Sequence, residues 1–309
     1  MSGRGADDGT YDGTYDMDGF LAAYDKVLAK WPADRETATV PTPFGGARVT
    51  SCGPPDGPPL VLLPGGGGAT SASWYAQAAD LSRTHRVHAV DLVSAPGRGT
   101  PPGDRHPRTV ADLTAWLDAV LDGLGVRETD LAGHSYGAWI ALHHALAAPA
   151  RVRRLALLDP TQCFAGYRTA YLLRALPMLL RPTPRRVRAF LEWETGTRAV
   201  PGGRAKPGAG QVLDPDWLRL QEAAAGFPSV SKPVTGPRPD PAALRGLDVP
   251  VLLVLAGNSK VHDIRRVAAS AGALLPRVET VVLPETSHHA LPQSAPAELG
   301  HRLTGFLRP

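Results

Sequence analysis

Five residues constrain this chain more than any others: Gly133-His134-Ser135-Tyr136-Gly137. They separate a short buried-strand pattern, Thr129-Asp130-Leu131-Ala132, from a helical run that includes Ala138-Trp139-Ile140-Ala141-Leu142. A strand that turns into a helix across G-x-S-x-G leaves no room for side chains at its two flanking positions. It also forces the central residue toward strained φ/ψ and lifts its hydroxyl above the sheet edge. Ser135 is therefore the candidate nucleophile. Glycine is abundant here, at 33 residues, so the pentapeptide alone also suits a flexible turn. The nucleophile reading rests on three companions in chain order: a Gly-rich loop upstream, an acid downstream and a histidine near the C-terminal end.

The upstream loop is Pro64-Gly65-Gly66-Gly67-Gly68, directly after the continuous apolar run Leu60-Val61-Leu62-Leu63. Such a run reads as a strand covered on both faces of a parallel sheet. Acyl transfer builds negative charge on a carbonyl oxygen, and fixed backbone N–H groups stabilise it. Gly66 is the expected donor from this loop, and Tyr136, next after the nucleophile, is the second. A phosphate cradle is disfavoured, because no Lys-Ser/Thr follows the glycines.

The strand Thr280-Val281-Val282-Leu283 leads into Pro284-Glu285-Thr286-Ser287-His288-His289. A histidine on a loop after the last strand can reach a serine hydroxyl and take its proton, so His288 is the expected base, with His289 second. His143, His144 and His301 fall inside helical patterns. A carboxylate must fix the imidazole, and Asp159 and Asp263 are the candidates. Asp263 immediately precedes a helical run and suits an N-cap. Asp159 closes the strand that follows the nucleophile strand, at the edge where sites in parallel sheets assemble, and it is favoured on that ground.

Strands and helices alternate over residues 17–160 and again over 248–309, which calls for an α/β core with a parallel sheet. Residues 161–247 break the alternation with helical runs, a Pro/Gly-rich loop from Arg198 to Asp214 and an extended linker from Pro228 to Pro241. An insertion between two sheet strands, above the nucleophile, reads as a helical cap. Residues 1–16, rich in Gly and Asp, read as a disordered tail. Its aspartates lack the spacing of a calcium loop, and no metal or cofactor site is expected elsewhere.

The net charge of +4 is too diffuse to call for nucleic acid. The arginines at 168, 174, 181, 185, 186 and 188 read first as a solvated helix face. They also suit an anionic substrate or an acidic carrier protein. Cys52 and Cys163 are the two cysteines and imply no disulfide framework. Without a membrane-span pattern or a signal-peptide pattern, a cytoplasmic protein with no membrane partner is expected.

Together these residues resemble the α/β-hydrolase superfamily, and within it bacterial carboxylesterases with a helical cap, from about Phe44 to Phe306. The resemblance implies a mostly parallel eight-stranded sheet with helices on both faces, a Ser-His-acid triad and no cofactor. Two features depart from it. Pro64-Gly65 stands where the family carries His-Gly, and Ala256-Gly257-Asn258-Ser259-Lys260, after the seventh strand, lacks the family's acid. The second is consistent with migration of the acid to Asp159. The expected activity is cleavage of a small-molecule ester, thioester or lactone through an acyl-enzyme on Ser135. Alternatives on the same fold are a lyase, C–C hydrolase or cyclase, or a non-catalytic ligand-binding protein. Epoxide hydrolase and dehalogenase chemistry would require Asp in place of Ser135.

Overall fold

The computed structural model describes residues 15–100, 105–196, 213–229, 232–294 and 296–308. Its eight strands are β1 (Glu36–Thr42), β2 (Gly45–Cys52), β3 (Pro59–Leu63), β4 (Arg86–Val90), β5 (Thr129–His134), β6 (Val152–Leu158), β7 (Val251–Ala256) and β8 (Val278–Leu283). They form one sheet in the order β1-β2-β4-β3-β5-β6-β7-β8. The β1–β2 and β2–β4 pairs are antiparallel, and all later pairs are parallel. This is the expected mostly parallel sheet of an α/β-hydrolase fold.

The helices are α1 (Met17–Leu28), α2 (Tyr75–Leu81), α3 (Val110–Gly123), α4 (Tyr136–Ala147), α5 (Thr169–Leu180), α6 (Pro184–Thr195), α7 (Pro215–Ala223), α8 (Pro241–Arg245), α9 (Ile264–Leu274), α10 (Leu291–Ser294) and α11 (Pro296–Phe306). They lie on both faces because successive strand side chains point to opposite sides. Val61, Leu63, Leu131, Leu155 and Leu253 pack with Trp116 of α3, Ile140 of α4 and Val267 of α9. Their neighbours Leu60, Leu62, Ala132, Ala156 and Leu252 pack with Phe20 of α1, Ala78 of α2 and Leu303 of α11. The apolar runs of β3 and β7 are thus buried on both faces, each large aliphatic side chain contributing roughly 1.5–3 kcal/mol.

Between β6 and β7 the chain is helical. Phe190 and Leu191 of α6 and Trp217 and Leu220 of α7 join the apolar cluster on the α1 side of the sheet. Lys30 bonds Asp214, the N-cap of α7, at 2.6 Å, and Tyr15 Oη donates to Ala223 O at 2.7 Å. No helix among the described residues is long and apolar enough to cross a membrane.

Two sequence readings change in detail, and a third lies mostly outside the described residues. Residues 1–14 of the expected tail lie outside the described residues, but Tyr15 and Asp16 are already engaged, Asp16 capping α1 through Gly19 N at 2.8 Å. The loop expected over Arg198 to Asp214 lies mostly outside the described residues. The extended linker expected over Pro228 to Pro241 ends in α8, where Asp240 accepts from Ala243 N at 2.9 Å.

Candidate active site

The ends of β5 and β6 lie side by side, with His134 opposite Leu158. Each continues one residue further as a ladder, Ser135 N bonding Leu158 O at 2.9 Å and Asp159 N bonding Val254 O at 2.7 Å. Ser135 and Asp159 are thereby set next to each other at the carboxyl edge of the sheet. Both have positive φ, 54° at Ser135 and 42° at Asp159, a region that non-glycine residues rarely occupy. The glycines around Ser135 are demanded by space. A Cβ on Gly133 would lie 2.4 Å from Gly137 O, and one on Gly137 would lie 2.3 Å from Pro64 O.

His288, on the loop between β8 and α10, completes a hydrogen-bonded line. Its Nε2 is 2.8 Å from Ser135 Oγ, and its Nδ1 is 2.6 Å from Asp159 Oδ2. A carboxylate accepts, so the ring proton sits on Nδ1 and Nε2 faces the serine hydroxyl as an acceptor. Asp159 is fully buried and accepts from four donors: His288, Ser259 Oγ at 2.8 Å, His262 Nε2 at 3.0 Å and Ala256 N at 3.3 Å. Burial pushes its pKa up, but the bonds from His262 and His288 outweigh that and hold the carboxyl well below the ordinary carboxylate range.

The structure does not bring Asp263 to this group. It is an exposed N-cap of α9, its Oδ1 accepting from Arg265 N at 3.0 Å and Arg266 N at 3.2 Å. His289 lies beside the line and borders the same cavity, but its Nε2 is 3.2 Å from Tyr171 Oη and makes no bond to Ser135. His144 pairs with Asp118 at 2.9 Å.

Sequence reasoning missed three residues. His262 and Ser259 sit after β7 and hold the acid that this loop itself lacks. Polar residues beyond the carboxyl end of a central strand were the available signal. Glu194, from α6, is almost fully buried and accepts from the backbone N–H groups of His288 and His289, each at 3.2 Å. Burial raises its pKa. Nothing in an amphipathic helix distant in sequence announced that contact. His134 adds a further brace, its Nε2 donating to His288 O at 2.9 Å.

A small cavity opens on Ser135, walled by Trp74, Trp217 and Pro292, with Ser73, Gln221, His134 and His289 as polar lining. Gly65 and Gly66 form its floor. Their backbone passes so close to the nucleophile turn that a Cβ on Gly66 would lie 3.4 Å from Tyr136 Cβ. Among the described residues no cluster of three His, Cys, Asp or Glu side chains is placed to hold a metal ion.

Comparison with known proteins follows the same geometry. Residues 60–301 match the alpha/beta hydrolase family. The chain is 28% identical over 290 residues to carboxylesterase YbfK of Bacillus subtilis, covering 93% of each chain. The crystal structure of that organism's carboxylesterase CesB (YbfK) superimposes with a TM-score of 0.82 at 27% identity, covering 94% of this chain and 97% of that one. The crystal structure of its naproxen esterase (carboxylesterase NP) gives a TM-score of 0.81 at 26% identity, with the same coverage.

Proposed function

This chain belongs to the alpha/beta hydrolase family, and on that premise we propose that it is a serine carboxylesterase acting on small, uncharged acyl substrates. The observation that carries the reading is the unbroken line from Ser135 Oγ through His288 to Asp159, at 2.8 and 2.6 Å. His288 Nε2 takes the hydroxyl proton as Ser135 Oγ attacks the ester carbonyl. Asp159 fixes the imidazole and stabilises the imidazolium that forms. The N–H groups of Gly66 and Tyr136 receive the oxyanion. His288 then protonates the departing alkoxide. Water, deprotonated by the same ring, releases the acid and restores Ser135.

The walls support the substrate class. Trp74, Trp217, Pro64 and Pro292 line the cavity together with Ser73, Gln221, His134 and His289, and among the described residues no Asp, Glu, Lys or Arg lines it to receive a charged acyl group. Residues 161–247 act as the cap, contributing Trp217 and Gln221 to the cavity wall. A cytoplasmic location is part of the same reading, and the buried free thiols of Cys52 and Cys163 suit a reducing compartment.

Fluorophosphonate labelling with peptide mapping tests the assignment. Label on Ser135, absent in Ser135→Ala and strongly slowed in Asp159→Asn, is the expected result. Folded wild type that takes no label and hydrolyses no ester, thioester or lactone would overturn it.

A further inference from the structure

Exposed large apolar side chains are concentrated on one helix. Leu172, Leu173, Leu176, Leu179 and Leu180, all in α5, are 44–75% exposed. Among the described residues, only Met17, Tyr167 and Val282 join them in that class. At roughly 100° per residue the five leucines fill one arc of roughly 120°. The inner face of α5 carries Tyr171, Ala175 and Met178 and packs on the apolar cluster beneath.

The segment of chain that carries this stripe has charge of one sign. From Pro160 to Leu191 the chain contains six arginines and no Asp or Glu. Arg188 pairs with Glu222 and Glu192, and Arg186 donates to Pro177 O and Arg181 O at the end of α5. Among the described residues, no carboxylate lies within ion-pair distance of Arg168, Arg174, Arg181 or Arg185. Arg168 stands at the first turn of α5, next to Leu172. Arg181 and Arg185 stand at its other end, beside Leu180.

We propose that the outer face of α5 docks on an anionic lipid surface, with the leucines among the acyl chains and the arginines at the headgroups. Apolar and cationic groups so placed on one exposed helix match what a bilayer surface offers at adjacent depths. A second copy of the chain is the weaker occupant, since a two-fold contact across the stripe would bring like arginines together. An acidic protein would satisfy the arginines and leave five leucines without a partner. Docking at the surface needs no membrane span, and it departs from the sequence-based expectation of no membrane partner. The face lies one helix thickness from the candidate active site, because Tyr171 on the inner side reaches His289 at 3.2 Å. Esters that partition into a bilayer would thus be delivered next to the cavity.

Vesicle co-sedimentation tests this without reference to catalysis. Wild type is expected to bind phosphatidylcholine vesicles containing about one third phosphatidylglycerol at least about tenfold better than pure phosphatidylcholine, and high salt should release it. The pair Leu173→Glu with Leu180→Glu, and separately Arg181→Gln with Arg185→Gln, should each weaken binding about tenfold or more. Both should keep the wild-type melting profile and hydrolyse a water-soluble activated ester within about twofold of wild type. Wild type that ignores anionic vesicles, or variants that bind as wild type does, would overturn the proposal. So would a dimer, abolished by the leucine pair, in a protein that binds no vesicles, which would identify a second copy as the occupant. Capture of an acidic protein with no vesicle binding would overturn it equally.

Discussion

The carboxylate of Asp159 and the imidazole of His262 are hydrogen-bonded at 3.0 Å, so the acid beside His288 carries a second ring on its other oxygen. Both residues are almost completely buried. Without that ring, Oδ1 keeps only Ala256 N, at 3.3 Å. His262→Ala is expected to lower kcat about tenfold with KM little changed, because the ring holds the acid and lies outside the cavity lining. Steady-state kinetics on an activated ester decides it; an unchanged kcat would leave His262 a packing residue.

The two candidate acids are separated by the same assay. Asp159→Asn is expected to lower kcat by about 10³–10⁴, since the amide favours the wrong imidazole tautomer. Asp263→Asn should stay within about twofold, because asparagine caps a helix about as well as aspartate.

The backbone at Ser135 has φ 54° and ψ −115°, a conformation that costs an L-residue about 1–3 kcal/mol. Ser135→Gly should therefore abolish hydrolysis and raise the unfolding free energy by about 1 kcal/mol in urea titrations. A stability below that of wild type would show that the serine's hydrogen bond to His288 outweighs the backbone strain.

Gly137→Ala and Gly272→Ala form a contrasting pair. The first places a methyl 2.3 Å from Pro64 O and 2.5 Å from Leu63 O, both backbone atoms. It should destabilise by about 1–3 kcal/mol or prevent folding. The second, inside α9, meets nothing within 4 Å and should stabilise by about 0.5–1 kcal/mol. Thermal melts of the two variants compare them directly.

Acid should destabilise the fold well above the carboxylate range. Burial, and then the charge of His288, lowers the pKa of His134 to about 3 from its ordinary 6.5. Burial, with His288 next, also holds His289 well below its ordinary value. Between those limits the unfolded chain binds protons that the folded chain refuses. For His134 the contribution is full above pH 6.5 and is lost as pH falls toward 3, at up to about 1.4 kcal/mol per pH unit, and His289 acts in the same direction. Glu194, raised by burial, acts oppositely: its contribution is present at low pH and is lost as pH rises through its raised pKa. Urea midpoints should fall from pH 6.5 downward, and His134→Gln should flatten the fall.

The sheet was legible because its strands announce themselves. Leu60-Val61-Leu62-Leu63 and Val251-Leu252-Leu253-Val254 are continuous apolar runs, which in a chain of this pattern fit only strands covered on both faces. Helix α8 was missed although Asp240-Pro241 is a fair start signal, a cap followed by proline at the first helical position. The surrounding prolines pointed to an extended linker. At the candidate site, Ser135 and His288 stood out through local motif and chain order. The choice between Asp159 and Asp263 needed distances. His262 carried only the weak signal of a polar residue beyond the carboxyl end of a central strand, and Glu194 was invisible because its role comes from burial against a segment about a hundred residues away, which local patterns do not encode.

Glu194 has one more consequence. It belongs to α6, in the segment that walls the cavity, yet its carboxylate holds the backbone of His288 and His289 in place. On the proposed function, the segment that contributes Trp217 and Gln221 to the cavity is therefore also part of the scaffold beside the proposed base. Changes made to that segment to alter selectivity are then expected to reach turnover as well. Substitutions in α6, which among the described residues lines no part of the cavity, are expected to move kcat through position 194 rather than change the accepted ester.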